Sequence, residues 1–139
     1  MFLDYITAGS FGDLLQSRSK EAEQFKECGY YVLRNTTYYN TTQTFIALNT
    51  NLYYHNKAVD PINYPEDPCG QLAWLNKTLY ECKPKERVFI MAHVPPGYFE
   101  HRPTEPFFSN ENYTKKYMDI ITNKDNAKKV SYEKSIYFS

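Results

Sequence analysis

The sequence predicts an α/β or α+β chain, and three observations predict it. Val88 to Ala92 is apolar at every position, the pattern of a strand covered on both faces. Cys69 to Cys82 carries Leu72, Leu75 and Leu79 along one helical face. Thr44 to Leu48 is an apolar run short enough to be a buried strand. Strand, helix and strand in that order predict a right-handed crossover with parallel pairing.

The remaining elements follow in order. From Ser10 to Phe25, Phe11, Leu14, Leu15, Ala22 and Phe25 fit helical spacing with a break near Ser17, which predicts two short helices ended by Gly29. Tyr30 to Leu33 is aromatic and β-branched and reads as a strand that pairs with Thr44–Leu48 as a hairpin. Asn35 to Asn40 is polar and turn-rich. Asn49 to Pro68 has little periodicity and includes Pro61, Pro65 and Pro68, which predicts a long loop. Asp67-Pro68 is a suitable helix start, because Asp accepts from orphan amides and Pro is tolerated at the first helical position. The Val88–Ala92 strand stops at His93, since Val94-Pro-Pro-Gly97 cannot extend a ladder. Asn112 to Thr122 is helix-compatible, with Tyr113, Tyr117, Ile120 and Ile121 on one side. Residues 123–139 are lysine-rich and patternless until Ile136-Tyr-Phe138, so the expected division is a domain over 1–122 and a divergent or disordered tail over 123–139.

Charge and composition exclude several classes. Lys plus Arg balance Asp plus Glu at 16 each. With no basic stripe, this argues against a nucleic-acid partner. No run approaches the ~18 apolar residues of a membrane-spanning helix. Asn-x-Ser/Thr acceptors at Asn35, Asn40, Asn76 and Asn112 lean toward secretion, into the extracellular space or endolysosomal lumen. Met1 to Leu15 has no basic n-region and no uninterrupted apolar stretch, so no signal peptide is present in it. Secretory features without a leader predict that the start of the protein lies upstream.

Three cysteines leave at least one unpaired within the chain. Cys69 and Cys82 lie at opposite ends of the predicted helix, roughly 20 Å apart at ~1.5 Å per residue, too far for a disulfide. Pairing of Cys28 with either one, or with another segment, stays open, as does the reading of buried free thiols.

His93 is the candidate metal ligand. A polar residue at the carboxyl end of a buried strand stands where α/β proteins keep their chemistry. A neutral imidazole offers a lone pair at physiological pH, and the strand below and Pro-Pro above fix its ring. A boundary histidine that merely hydrogen-bonds would occupy the same place.

Val88-Phe-Ile-Met-Ala-His-Val-Pro-Pro-Gly97 resembles the strand–histidine–turn motif of acid sphingomyelinase-like phosphodiesterases, which are calcineurin-like metallophosphoesterases. Leu48-Asn-Thr-Asn-Leu-Tyr-Tyr54 resembles the family's Leu-Asn-Thr-Asn strand end. Asp67-Pro-Cys-Gly-Gln-Leu-Ala-Trp-Leu75 resembles its Asp-Pro-x-x-Gln-x-x-Trp-Leu helix start, and Glu21–Tyr31 fits the preceding segment. The resemblance runs from about Phe11 to Thr122, and the motifs are colinear. It implies part of a metallophosphoesterase-type β-sandwich flanked by helices. It also implies a zinc-dependent phosphodiesterase acting on a small-molecule or lipid phosphoester, a sphingomyelin-like lipid or a nucleotide, through metal-activated water. In the family the corresponding histidine ligates one of two zinc ions, which falls on His93. The family's Asp-x-His, Gly-Asp, Gly-Asn-His and Gly-His-x-His motifs have no match here, so at most one ligand is present and the isolated chain is expected to be inactive. The competing expectation is a non-enzymatic secreted glycoprotein, a binding module or pseudoenzyme keeping part of the fold.

Other residues have plainer readings. His55 falls in the long loop and His101 on the presumed rim, where solvated histidines are common. Asn49 and Asn51 end a strand, where fixing the loop by hydrogen bonds is favoured over metal binding. Tyr53, Tyr54, Tyr98 and Phe99 suit either packing or a substrate's cation or base. Lys115, Lys116, Lys128 and Lys129 read as a solvated face. Uncovered Phe45, Ile46, Phe89 and Ile90 would leave the chain marginally stable, at ~1.5–3 kcal/mol for each fully exposed side chain.

Overall fold

A computed structural model describes residues 19–36, 42–54, 66–108 and 111–135. The first element, α1 (Ser19–Cys28), is ended by Gly29, whose φ of 77° is the left-handed conformation that closes a helix without steric cost. Strands β1 (Tyr31–Thr36) and β2 (Thr42–Leu48) pair antiparallel, with Val32 opposite Ile46. Helix α2 (Gln71–Glu81) leads to β3 (Arg87–Ala92), which pairs parallel to β2 as the strand–helix–strand order predicts.

The predicted start of α2 is partly right. Pro68–Gly70 form a 3-10 turn ahead of the α-helix, with Cys69 at φ 57° and Gly70 at φ 63°. Both Asp67 carboxylate oxygens still reach the helix, accepting from the Leu72 and Ala73 amides at 3.0 Å. Leu72, Leu75 and Leu79 are buried together with Ile46, Leu48, Val88 and Ile90. Burying each such side chain contributes about 1.5–3 kcal/mol. After β3 come a short hairpin of β4 (Tyr98–Phe99) and β5 (Arg102–Pro106) and then α3 (Glu111–Thr122), whose Tyr113 and Tyr117 join the core against α2.

Residues 123–135, within the stretch expected to be a divergent or disordered tail, are ordered. They form α4 (Lys124–Ala127) and β6 (Val130–Ser135). The Asn123 carboxamide oxygen caps α4 by accepting from the Asp125 amide at 3.0 Å. Strand β6 pairs parallel to β3, so among the described residues a sheet of order β1-β2-β3-β6 results. No apolar run announces β6; its backbone bonds to β3 decide its conformation. Nor are all the lysines merely solvated. Lys129 Nζ donates to the Leu79 and Tyr80 carbonyls at 2.9 and 3.4 Å, completing the carboxyl end of α2, and Lys116 Nζ donates to the Glu66 carbonyl at 3.3 Å.

β3 is central, but it is fully covered on one face only. Val88, Ile90 and Ala92 are buried beneath the helices, whereas Phe89 and Met91 are half-buried. Phe45 and Phe89 stack on that second face, 5.2 Å apart and 15° from parallel, in a row with Leu33 of β1. The expected exposure therefore falls on Phe45 and Phe89, while Ile46 and Ile90 are wholly enclosed.

A disulfide joins Cys28 to Cys69, and Cys82 is a buried free thiol that donates to the Thr78 carbonyl. The bridge ties the end of α1 to the entrance of α2. At the amino-terminal end of β3, the Glu86 carboxylate accepts from the Thr44 hydroxyl and from the Lys83 amide at 2.9 Å, beside the Arg34 guanidinium at 3.5 Å. Burial works to raise this carboxyl, yet those three partners outweigh it and hold Glu86 below the usual carboxylate range.

Candidate functional site at the sheet edge

Strands β2 and β3 end together, with Leu48 opposite Ala92, so Asn49 and His93 are the next residues along neighbouring parallel strands. The carboxyl edge of such strands is the usual ligand-facing edge of an α/β sheet. Ala92 and Val94 are buried while His93 between them is exposed. A bend anchored on both sides in the core therefore turns the imidazole outward. The Val94 amide donates to the hydroxyl of buried Thr50 at 2.7 Å, which fastens the His93 bend to the 3-10 turn Thr50–Leu52 after β2.

That turn is held from beneath by Gln71, whose side chain is wholly buried. Its carboxamide oxygen accepts from the Asn49 amide at 2.7 Å, and its nitrogen donates to the Asn49 carbonyl at 3.2 Å and to the Tyr53 hydroxyl at 2.9 Å. Every polar atom of the Gln71 side chain thus has a partner, as a buried amide requires. The Asn49 side chain is also engaged: its nitrogen donates to the Cys28 carbonyl at 2.9 Å. Asn49 fixes the loop. The signal for Gln71 in the sequence is a polar residue in line with Leu72, Leu75 and Leu79, since an apolar stripe admits one only when it is hydrogen-bonded.

The aromatic residues separate into packed and exposed groups. Tyr53 lies in the core, with ring centroids 5.4 Å from Phe108 and 5.0 Å from Tyr113, so it does not flank a cleft. Burial pushes its phenol well above the ordinary range, against the opposing effect of the Gln71 hydrogen bond. Trp74, off the leucine stripe, packs against Tyr30 at 4.7 Å, and the Tyr30 hydroxyl donates to the Cys69 carbonyl at 2.7 Å. Tyr54 and Tyr98 are exposed, and Tyr98 meets Glu111 through its hydroxyl at 3.3 Å. His101 is exposed in the turn joining β4 to β5, and Asn51 is exposed in the turn after β2. His55, Asn40 and the predicted helical segment before Ser19 lie outside the described residues. Asn35 lies in β1 opposite Gln43, and Asn76 and Asn112 are exposed on α2 and α3.

His93 offers one nitrogen donor facing solvent, and among the described residues no group of three His, Cys, Asp or Glu side chains converges to hold a cation. The described residues do not by themselves fit a two-metal site, which needs several ligands per ion. No described helix is long and apolar enough to cross a membrane.

An outward imidazole at the edge of parallel strands defines an α/β chain with an edge site, and comparison with known proteins gives its kinship. Sphingomyelinase phosphodiesterase C of Dictyostelium discoideum is 40% identical over 105 residues, which are 71% of this chain and 22% of that protein. Human cyclic GMP-AMP phosphodiesterase SMPDL3A is 39% identical over 94 residues, covering 67% of this chain and 20% of its own. Human acid sphingomyelinase-like phosphodiesterase 3b is 36% identical over 77 residues, covering 55% and 16%. No family model matches the chain. The chain is a relative of the acid sphingomyelinase-like phosphodiesterases over one segment, and its resemblance is to phosphoric diester hydrolases. It spans about a fifth of the length of the curated relatives it matches.

Proposed function

We propose that this chain is a segment of a secreted, zinc-dependent phosphodiesterase, and that His93 is its contribution to the metal centre. The observation that carries the reading is the placement of His93. It is exposed between two buried residues at the shared carboxyl edge of β2 and β3, on a loop tied down by Thr50. The similarity to three named phosphodiesterases supports the reaction class. The substrate is a phosphoester of small-molecule or lipid type, a sphingomyelin-like lipid or a nucleotide. The other ligands come from residues beyond those described, so the 139-residue chain alone is expected to show no turnover. Fold does not choose between the two substrate types.

The test is a segment exchange. Residues 19–122 replace the corresponding stretch of human SMPDL3A, and hydrolysis of cyclic GMP-AMP is measured together with bound zinc. The exchanged protein is expected to hydrolyse substrate, and His93→Ala is expected to lose both turnover and bound zinc. An exchanged protein that keeps full activity and zinc content with His93→Ala would remove His93 from the metal centre. A folded but inactive exchange would favour the competing reading, a glycoprotein binding module that keeps the scaffold without the reaction.

A further inference from the structure

A groove runs between the outer face of α2 and α4, with a volume of about 410 Å³. That lies within the roughly 300–1,000 Å³ of small-ligand clefts. Its lining includes Asn76, Lys77, Tyr80, Asn123, Asp125 and Asn126. Two of these residues are unusual for a helix surface. Tyr80 is 82% exposed, the most open of the large hydrophobic side chains described. Asn76, one turn earlier on the same face, begins the triplet Asn76-Lys-Thr78. Asn126 is buried, and its Nδ2 donates to the Ile120 carbonyl at 2.9 Å and to Oδ1 of Asn76 at 3.3 Å. With Oδ1 held by Asn126, the Nδ2 of Asn76 is turned away from it, and among the described residues that nitrogen makes no hydrogen bond.

We infer that Asn76 carries an N-linked glycan whose first N-acetylhexosamine lies in this groove against the Tyr80 ring. A sugar of this class has one face of C–H groups, which suits the electron-rich face of an aromatic ring, and a rim of hydroxyl and amide groups. Lys77, Asn123 and Asp125 supply donors and acceptors for that rim. In the attachment, the bond from Nδ2 to the anomeric carbon forms as the bond from that carbon to a polyprenyl diphosphate donor breaks. The diphosphate leaves with the electron pair and Nδ2 loses one proton. Oδ1 is untouched, so the bond from Asn126 survives and fixes the orientation of the linkage. Thr78 is buried in the folded chain, so attachment precedes folding of α2.

This inference rests on the secretory reading above, and the experiment separates the two. The full chain is expressed behind a cleavable leader in eukaryotic cells, and occupancy of each acceptor is read by glycopeptide mass spectrometry. Release by peptide-N-glycosidase is then timed on the native protein. Asn76 is expected to be occupied and to release its glycan more slowly than exposed Asn112. Tyr80→Ala is expected to speed release from Asn76 several-fold, while Lys128→Ala leaves it unchanged. An Asn76 without glycan overturns the site. A release rate indifferent to Tyr80→Ala overturns the seat in the groove. Because the leader supplies the route, neither failure bears on whether the natural protein is secreted.

Discussion

Replacing Gln71 with Leu removes the buried amide that holds the turn after β2 while keeping the volume close to native. Three hydrogen bonds go: those from the Asn49 amide, to the Asn49 carbonyl and to the Tyr53 hydroxyl. At about 0.5–1.5 kcal/mol each, the net loss lies between roughly 1.5 and 4.5 kcal/mol. Leucine recovers part of this through apolar burial, but the Asn49 backbone groups and the enclosed Tyr53 hydroxyl keep their desolvation cost without a partner. A destabilisation of about 2–4 kcal/mol is therefore expected, a large share of the 5–15 kcal/mol typical of a domain. Urea unfolding followed by tryptophan fluorescence reports it, since Trp74 sits one turn along the same helix. With a slope of about 2 kcal/mol per molar, the midpoint falls by roughly 1–2 M. Adding Tyr53→Phe to Gln71→Leu recovers the hydroxyl's share, because both partners of that bond are then apolar. A Gln71→Leu loss below about 0.5 kcal/mol, the scale of an ordinary surface change, would refute the clamp.

Three further predictions follow from packing and charge. Cys28→Ser with Cys69→Ser opens a bridge across 41 residues of sequence and is expected to cost about 4 kcal/mol on the chain-entropy account, read by unfolding with and without reductant. Equal midpoints in the two conditions would contradict it. Glu86 is held below its ordinary value, so it binds its proton more readily in the unfolded chain. Its contribution is complete above the unfolded pKa and is lost as pH falls through the lower folded value. Glu86→Gln should therefore flatten the acid limb of a stability–pH curve below about pH 4.5, and an unchanged limb would show that Glu86 carries none of it. Gly29→Ala places a Cβ 2.9 Å from Asn49 Nδ2 on a backbone at φ 77°, for an expected loss of about 1–3 kcal/mol in thermal unfolding. A neutral substitution there would show that the Asn49 side chain yields at no cost.

His93, the strands on either side of α2 and the stripe of Leu72, Leu75 and Leu79 were all legible in the sequence. Each is a local matter: a periodicity, an apolar run, or a histidine followed by two prolines that end a ladder. The hairpin of β4 and β5 was not, because Tyr98-Phe99 and Arg102–Pro106 carry neither a long run nor a clean alternation. The site was half legible for the same reason. Strand ends are local, but what steadies them lies elsewhere in the chain.

By itself, then, the sequence determined where β1, β2, β3, α2 and α3 form, which face of α2 turns inward and that an imidazole ends β3. The three-dimensional arrangement decided the rest. Cys28 found Cys69, Gln71 took hold of Asn49, Tyr53 was drawn into the core, and β6 was recruited beside β3. These outcomes depend on groups far apart in the chain, 22 residues for Gln71 and Asn49 and 41 for Cys28 and Cys69. Local pattern records only what each residue prefers, whereas burial and hydrogen-bond satisfaction are settled by whichever neighbours the packed sheet and helices bring within reach.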